Sequence, residues 1–436
     1  MSNKIKNQFF LYLLFLTPFL FTIGIAVLEL SVLFLILFFL YKNRNLDLYK
    51  DKKVLFLFFF SIYVAVNAFF QIHDNLKISS FFFFRYTLLS LSIYFTLNYL
   101  NENLNKDNKK ILLIIGFIFL GIFFDSYLQF FTGENLFGYK IIQKRISSLF
   151  GSELILGTFL FKLLPLCLFL LLFVCTNKEL EKYSKILTFF LCLYFTVIYI
   201  AGGRTAFFLM LMFIFFIIFF INNLRKIFSI SILFLTIFIF FTSIFDMGKS
   251  DPFNRVFIKT FNQITNNIYL DKQDNISFKK EINKTNKGEN LKNFKIFSYD
   301  HNGHYVLAYN LFKENPIFGI GPKGFRYFCR SVEYNPKIGV CSTHPHNFLM
   351  QILTETGFVG LIFYFYGLFF VIMNIYKVFS KNTLTNEKNN FLIISIGLIL
   401  IFFPFIPNGN FFNNWISIIN FYYIGIYLYS YKKVFL

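Results

Sequence analysis

Histidine is scarce in this chain of 436 residues: there are five, His73, His301, His304, His344 and His346. Acidic residues are also few, 22 Asp and Glu against 42 Lys and Arg, and only 15% of all residues are charged. That shortage of charge, beside 56% hydrophobic residues with 72 Phe among them, excludes an ordinary soluble domain and leaves a membrane protein. No small-residue cleavage site follows the first apolar stretch, which starts after Lys4 and Lys6 and passes directly into a second. It therefore reads as an uncleaved first span rather than a signal peptide. There is no internal repeat and no P-loop pattern. The glycine-rich "GIGPKGF" at 319–325 follows no strand, so it reads as a tight turn positioning the helix after it, and no nucleotide or other cofactor is expected. The net charge of +20 would suit nucleic acid, but in a membrane protein it first means loops held against anionic lipid, so no nucleic-acid partner is expected.

A bilayer core of roughly 30 Å needs about 20 apolar residues per helix, fewer where the bilayer is thin. About twelve segments qualify, near 8–24, 25–41, 54–70, 78–99, 111–124, 154–175, 186–201, 206–222, 227–246, 348–376, 391–407 and 413–431, the first two divided at Gly24. The fold class is thus all-α and polytopic. Its organisation is a single integrated membrane domain: about nine helices over 1–246, an external segment over 247–347, and about three helices over 348–436. Lys and Arg in short loops gather on the cytoplasmic side of a membrane. With the N-terminus inside, one set of loops carries about 20 basic residues, and the opposite set only Lys77, Lys140, Lys144, Arg145 and Arg204. Both termini are expected on the cytoplasmic side.

The external segment is far longer than an ordinary loop, which marks it as functional or disordered. From 263 to 297 it is rich in Lys and Asn and is expected to be mobile. Apolar periodicity returns near 301–314 as a short amphipathic helix, followed by a Pro/Gly turn. All five histidines fall on this outer face, as do Cys329 and Cys341. In an oxidising compartment these two cysteines can close a disulfide loop; the other reading is a pair of thiols packed as small apolar residues.

In "CSTHPHNFLMQILTETG", residues 341–357, Pro345 suits the first position of a helix, with Ser342, Thr343 or His344 near the cap. His346 would then sit in the first turn, where the helix macrodipole disfavours the imidazolium and leaves a neutral ring able to take a proton. Asn347, Gln351, Thr354 and Glu355 form one polar stripe on an apolar helix, and such a stripe faces protein or water rather than lipid. This pattern fits a general base at the wet mouth of a bundle, or histidines that merely cap and anchor. His301, His304, His344 and His346 also suggest metal ligands, but Pro345 is expected to send its two neighbours apart, no external acidic cluster completes a site, and no metal is expected. In "AGGRTAFF", residues 201–208, glycines allow close backbone approach and Arg204 offers a planar fork for phosphate oxygens; alternatively Arg204 snorkels to head groups. The aromatic and basic segment 125–153, with Lys140, Lys144 and Arg145, suits an anionic lipid head group. Arg85, within the fourth apolar segment, calls for a functional or structural counter-charge.

Taken together, "DSYLQFFTGENLFG", "RISSLFGS", "GGRTAFF", "ENPIFGIGPKGF" and "HPHNFLMQILTETGFVGLIFY" resemble the O-antigen ligase and O-antigen polymerase superfamily of bacterial inner-membrane proteins, over roughly residues 120–375. The resemblance implies a fold related to the metal-independent, lipid-linked glycosyltransferases of GT-C type. It also implies transfer of a glycan from a polyprenyl (undecaprenyl) pyrophosphate donor to an acceptor hydroxyl of lipid A core, a growing glycan chain or a protein. His346 matches the family's proposed base and Arg204 its pyrophosphate-binding turn arginine; Arg145 is a weaker match upstream. The family arginine that precedes the "NP" turn is missing, and His301, His304, Lys323, Arg326 or Arg330 is expected to supply its charge. A transporter or flippase for a lipid-linked sugar is the competing reading, and it would place polar residues or broken helices near the midplane in matching halves.

Overall fold

The computed structural model describes residues 3–43, 51–71, 80–103, 109–245, 247–262, 299–330, 341–380 and 386–436. His73, Lys77, the tract at 263–297 and the charges of 44–50, 104–108 and 381–385 lie outside the described residues. Helix dominates: α1 (Asn3–Leu16), α2 (Ile25–Lys42), α3 (Lys52–Gln71), α4 (Phe84–Asn103), α5 (Lys110–Thr132), α6 (Leu156–Val174), α7 (Asn177–Lys182), α8 (Ser184–Ile200), α9 (Arg204–Phe220), α10 (Asn222–Ile244), α11 (Tyr299–Glu314), α12 (Phe325–Phe328), α13 (Phe348–Phe379), α14 (Asn386–Ile401) and α15 (Asn414–Phe435). Extended pairing among the described residues is limited to two isolated bridges, Glu134 with Lys140 and Ile142 with Arg145.

Each of the twelve apolar segments contains helix, because long runs of Phe, Leu and Ile leave the backbone no partner but itself in lipid. By length and composition α2, α3, α5, α6, α10 and α13 are apolar enough to cross a membrane. Stretches 8–22, 184–200 and 204–220 are shorter apolar helices. The division at Gly24 holds: a 3-10 turn over Thr17–Thr22 precedes it and α2 follows. Arg85 has its counter-charge, an ion pair with Glu29 at 2.8 Å, so this half-buried cation is structurally paired.

One break in the bundle positions the site. Within α13, Gly357 takes φ 62° and ψ −161°, which interrupts the helix. Residues 358–379 alone extend about 33 Å at 1.5 Å per residue, enough for a bilayer core, so the preceding arm 348–356 is not needed for crossing. The freed backbone groups are taken up by the "NPIFGIG" turn: Phe358 N donates to Pro316 O (2.8 Å), and Ile320 N donates to Thr354 O (3.0 Å). From α3, Tyr63 Oη donates to Thr356 O (2.5 Å) and Asn67 Nδ2 to Phe318 O (2.6 Å). The two backbones cross so closely that a Cβ on Gly319 would stand 2.6 Å from Thr354 O, and one on Gly357 2.3 Å from Ile317 O. The turn thus seats the His-bearing arm. Above it, Leu307, Ala308 and Leu311 of α11 join Ile320, Phe325 and Cys329 in a small core of their own.

Candidate active site

Asn347, not a residue before Pro345, caps α13. Its side chain accepts from Met350 N at 2.9 Å, a bond that a carboxamide makes well and that fixes the helix start at Phe348. His346 therefore precedes the helix, in a left-handed conformation with φ 58°. That conformation swings its ring toward α11, where the ring centroids of His301 and His304 each lie 5.3 Å away. His344 follows it, its centroid 4.1 Å from that of His346, so Pro345 does not separate the two rings. Four histidines meet in one cluster. Even so, among the described residues no set of three His, Cys, Asp or Glu side chains has the geometry to hold a metal ion.

The neutral state expected for His346 has a different cause from the helix dipole. Burial, then the neighbouring His301 and His304, push its pKa down to about 4. Burial, then His346, push His344 to about 3. Nε2 of His346 lies 2.9 Å from Ser342 Oγ, while Thr343 Oγ1 lies 3.1 Å from His344 Nδ1. The segment before the helix is fastened at its start, where Cys341 is paired with Cys329 at the end of α12, with Cα atoms 5.3 Å apart. Ser342 N donates to Cys329 Sγ at 3.1 Å.

The polar stripe faces protein. Gln351 Nε2 donates to Glu355 Oε2 (2.9 Å) and to Asn410 Oδ1 (2.8 Å), and its Oε1 accepts from Phe411 N (2.8 Å). Thr354 Oγ1 donates to Ala308 O (3.0 Å), and Asn347 Nδ2 to Pro404 O (2.8 Å). Glu355 Oε1 accepts from Phe325 N at 3.2 Å and so ties α12 to the arm. These side chains are engaged with the scaffold. Of the cations considered for the missing family arginine, Arg326 on α12 bears on His344, and Lys323 lies near Arg326, its pKa drawn down to about 8 by burial first and Arg326 second.

A second group forms around the Gly202–Gly203 turn. At the end of α5, Asp125 accepts from Leu136 N (2.9 Å) and Ser148 Oγ (2.5 Å), and Gln129 Oε1 accepts from Ser147 N (3.0 Å) and Ser148 N (2.8 Å). These bonds shape the loop that presents Arg145, whose guanidinium donates to Leu154 O at 2.6 Å. Arg255 joins it, donating from Nε to Gly202 O (3.0 Å) and from a terminal nitrogen to Gln143 O (3.3 Å). Glycine suits the turn: a Cβ on Gly202, at φ 66°, would lie 3.1 Å from Arg255 Cδ and 3.5 Å from Arg145 Cγ. Arg204 begins α9 beside them. Burial, then Arg255 and Arg204, bring Arg145 down to about 10, and Arg255 is lowered by burial and by Arg204. Cations held together in this way favour an anion with several oxygens. Arg255 escaped the sequence reading because it lies in the segment taken as loop. The apolar spacing of Phe253, Val256 and Phe257 is the signal, since Val256 is buried and the Phe257 ring packs on Phe207.

A bundle of apolar helices, six of them among the described residues long and apolar enough to cross a membrane, defines a polytopic membrane protein, and it carries one histidine group and one arginine group. Residues 187–365 match the family model for O-antigen ligase, which places this stretch in the O-antigen ligase and polymerase superfamily. The match includes Arg204, Arg255, the four clustered histidines, Arg326, both paired cysteines and Glu355; Arg145 lies upstream of it. None of the curated proteins matches the chain. Glycan transfer of the ligase or polymerase type is the activity this family supports.

Proposed function

We propose that the chain moves a glycan from polyprenyl (undecaprenyl) pyrophosphate to an acceptor hydroxyl at the outer, periplasmic face of a bacterial inner membrane, with His346 as base. All twelve apolar segments then serve as spans, and both termini lie inside. The observation that carries the reading is the His346 ring itself: neutral by burial and already in contact with a hydroxyl at 2.9 Å. As the acceptor oxygen bonds to sugar C1, its proton passes to His346, and the C1–oxygen bond to phosphate breaks with its electron pair leaving on the pyrophosphate. Arg204, Arg145 and Arg255 hold that growing charge, and Arg326 extends the positive field toward the histidines. The Cys329–Cys341 bridge, formed in an oxidising compartment, keeps the two parts in register.

An apolar cavity of about 350 Å³ between α3, α13 and α15, lined by Phe56, Phe60, Phe363, Tyr364, Phe411 and Tyr427, suits the prenyl chain. Lipid A core and a growing O-antigen chain are the acceptors of choice, and a protein hydroxyl asks for the same chemistry. The test is direct: purified protein in nanodiscs is given prenyl pyrophosphate-linked glycan, and release of prenyl pyrophosphate is followed with and without a hydroxyl acceptor. Acceptor-dependent release is expected, and no release with any acceptor would contradict the reading.

A further inference from the structure

The reaction as described does not use the buried cation Lys162. Lys162, in the membrane helix α6, is 3% exposed, and its Nζ has no hydrogen-bond partner among the described residues. Its nearest compensation is the ring of Phe348, with the ammonium 5.8 Å from the centroid. One such contact recovers a small part of the hydration that an ammonium loses on entering a membrane bundle, and an apolar residue of similar volume would suit the fold better. Its place in the structure points to a ligand. The first turn of α6 lies against the arginine group: a Cβ on Gly157 would be 3.4 Å from Ala206 Cβ and 3.5 Å from Ala201 Cβ, and the preceding Leu154 carbonyl accepts from Arg145. Five residues further on, Lys162 leaves the helix on the side of Phe348, two residues from His346. Lys162 thus shares a helix with the turn that meets the arginine group and reaches the residue that opens the His-bearing arm.

We infer that Lys162 binds the diphosphate of a lipid-anchored donor from below, opposite the oxygens that the arginines hold from the outer side. The inference rests on the glycan-transfer reading above. An oxyanion carried on a prenyl tail reaches a cation below the membrane surface without its tail leaving lipid, whereas a soluble phosphate has no such path. Two properties should separate in one substitution: Lys162→Met removes an unsatisfied buried charge, so thermal stability should rise while donor binding falls.

The experiment uses the full chain in nanodiscs, with farnesyl diphosphate and inorganic pyrophosphate as probes. For Lys162→Met, at least tenfold weaker binding of farnesyl diphosphate is expected, with an unchanged response to pyrophosphate and a higher melting temperature; Lys162→Arg should recover most of the binding. If the Met variant does not assemble, Lys162→Gln serves for the same comparison. Farnesyl diphosphate binding equal to wild type in the Met or Gln variant, while Arg204→Ala loses it, would overturn the role of Lys162 alone. Absence of farnesyl diphosphate binding by the wild-type chain would overturn the donor reading along with it.

Discussion

Ser342 Oγ lies 2.9 Å from His346 Nε2, and the backbone N–H of the same serine donates to Cys329 Sγ at 3.1 Å. One residue thus links the disulfide to the ring proposed as base. Ser342→Ala removes the hydroxyl that aligns the ring, and one hydrogen bond's worth of alignment is about tenfold in rate. The expected result is a kcat lowered about tenfold at nearly constant KM, with Ser342→Thr close to wild type. An equal loss in both variants would assign Ser342 to local structure only.

The pH profile follows from the histidine cluster. His344 and His346 have pKa values pushed to about 3 and about 4, below the usual 6.5. Because the unfolded chain takes up these protons first, their contribution to stability is complete above 6.5 and is lost as pH falls from there toward about 4 for His346 and about 3 for His344. Transfer rate should stay level from pH 8 to pH 6 and decline only as pH nears 4, and the melting temperature should fall across that same acid window. A rate that halves near 6.5 would mean the base is not buried as described.

The bridge between Cys329 and Cys341 joins α12, with Arg326, to the segment that carries Ser342 and His346. Non-reducing electrophoresis should show a mobility shift that Cys329→Ser abolishes. Transfer by Cys329→Ser should drop several-fold while insertion and yield hold. Quantitative thiol labelling of both positions in untreated protein would argue against the bridge.

Gly357 is a sharper test of the architecture. Alanine there must adopt a left-handed φ and meets Ile317 O at 2.3 Å, a cost of about 2 kcal/mol or more. Gly116→Ala, in α5 with nothing within 4 Å of the added carbon, is the control and should be neutral or slightly stabilising. Thermal unfolding or folded yield of the two variants should diverge widely; similar values would mean that the turn and the broken helix do not cross as described.

The helices are legible in the sequence because apolar runs separated by charged loops leave little choice of structure. The polar stripe Asn347–Gln351–Thr354–Glu355 is legible for the same reason, its spacing placing all four on one face. The helix start is not. Proline at the first helical position and asparagine at the cap are both good endings, and the bond from Met350 N to Asn347 decides between them only in three dimensions. Arg255 is hidden by a turn that carries it back across a long segment to Gly202. Lys162 is hidden because one lysine barely lowers the hydropathy of so apolar a helix, which says nothing of whether its charge finds a partner.

On the proposed mechanism His346 takes the acceptor proton. The most direct measurement is glycan transfer by His346→Ala in nanodiscs at saturating donor, with farnesyl diphosphate binding measured on the same preparation. A kcat at least about a hundredfold lower with donor binding retained is expected, since general-base catalysis contributes about 10²–10⁴. Transfer near the wild-type rate by correctly folded His346→Ala protein would contradict it.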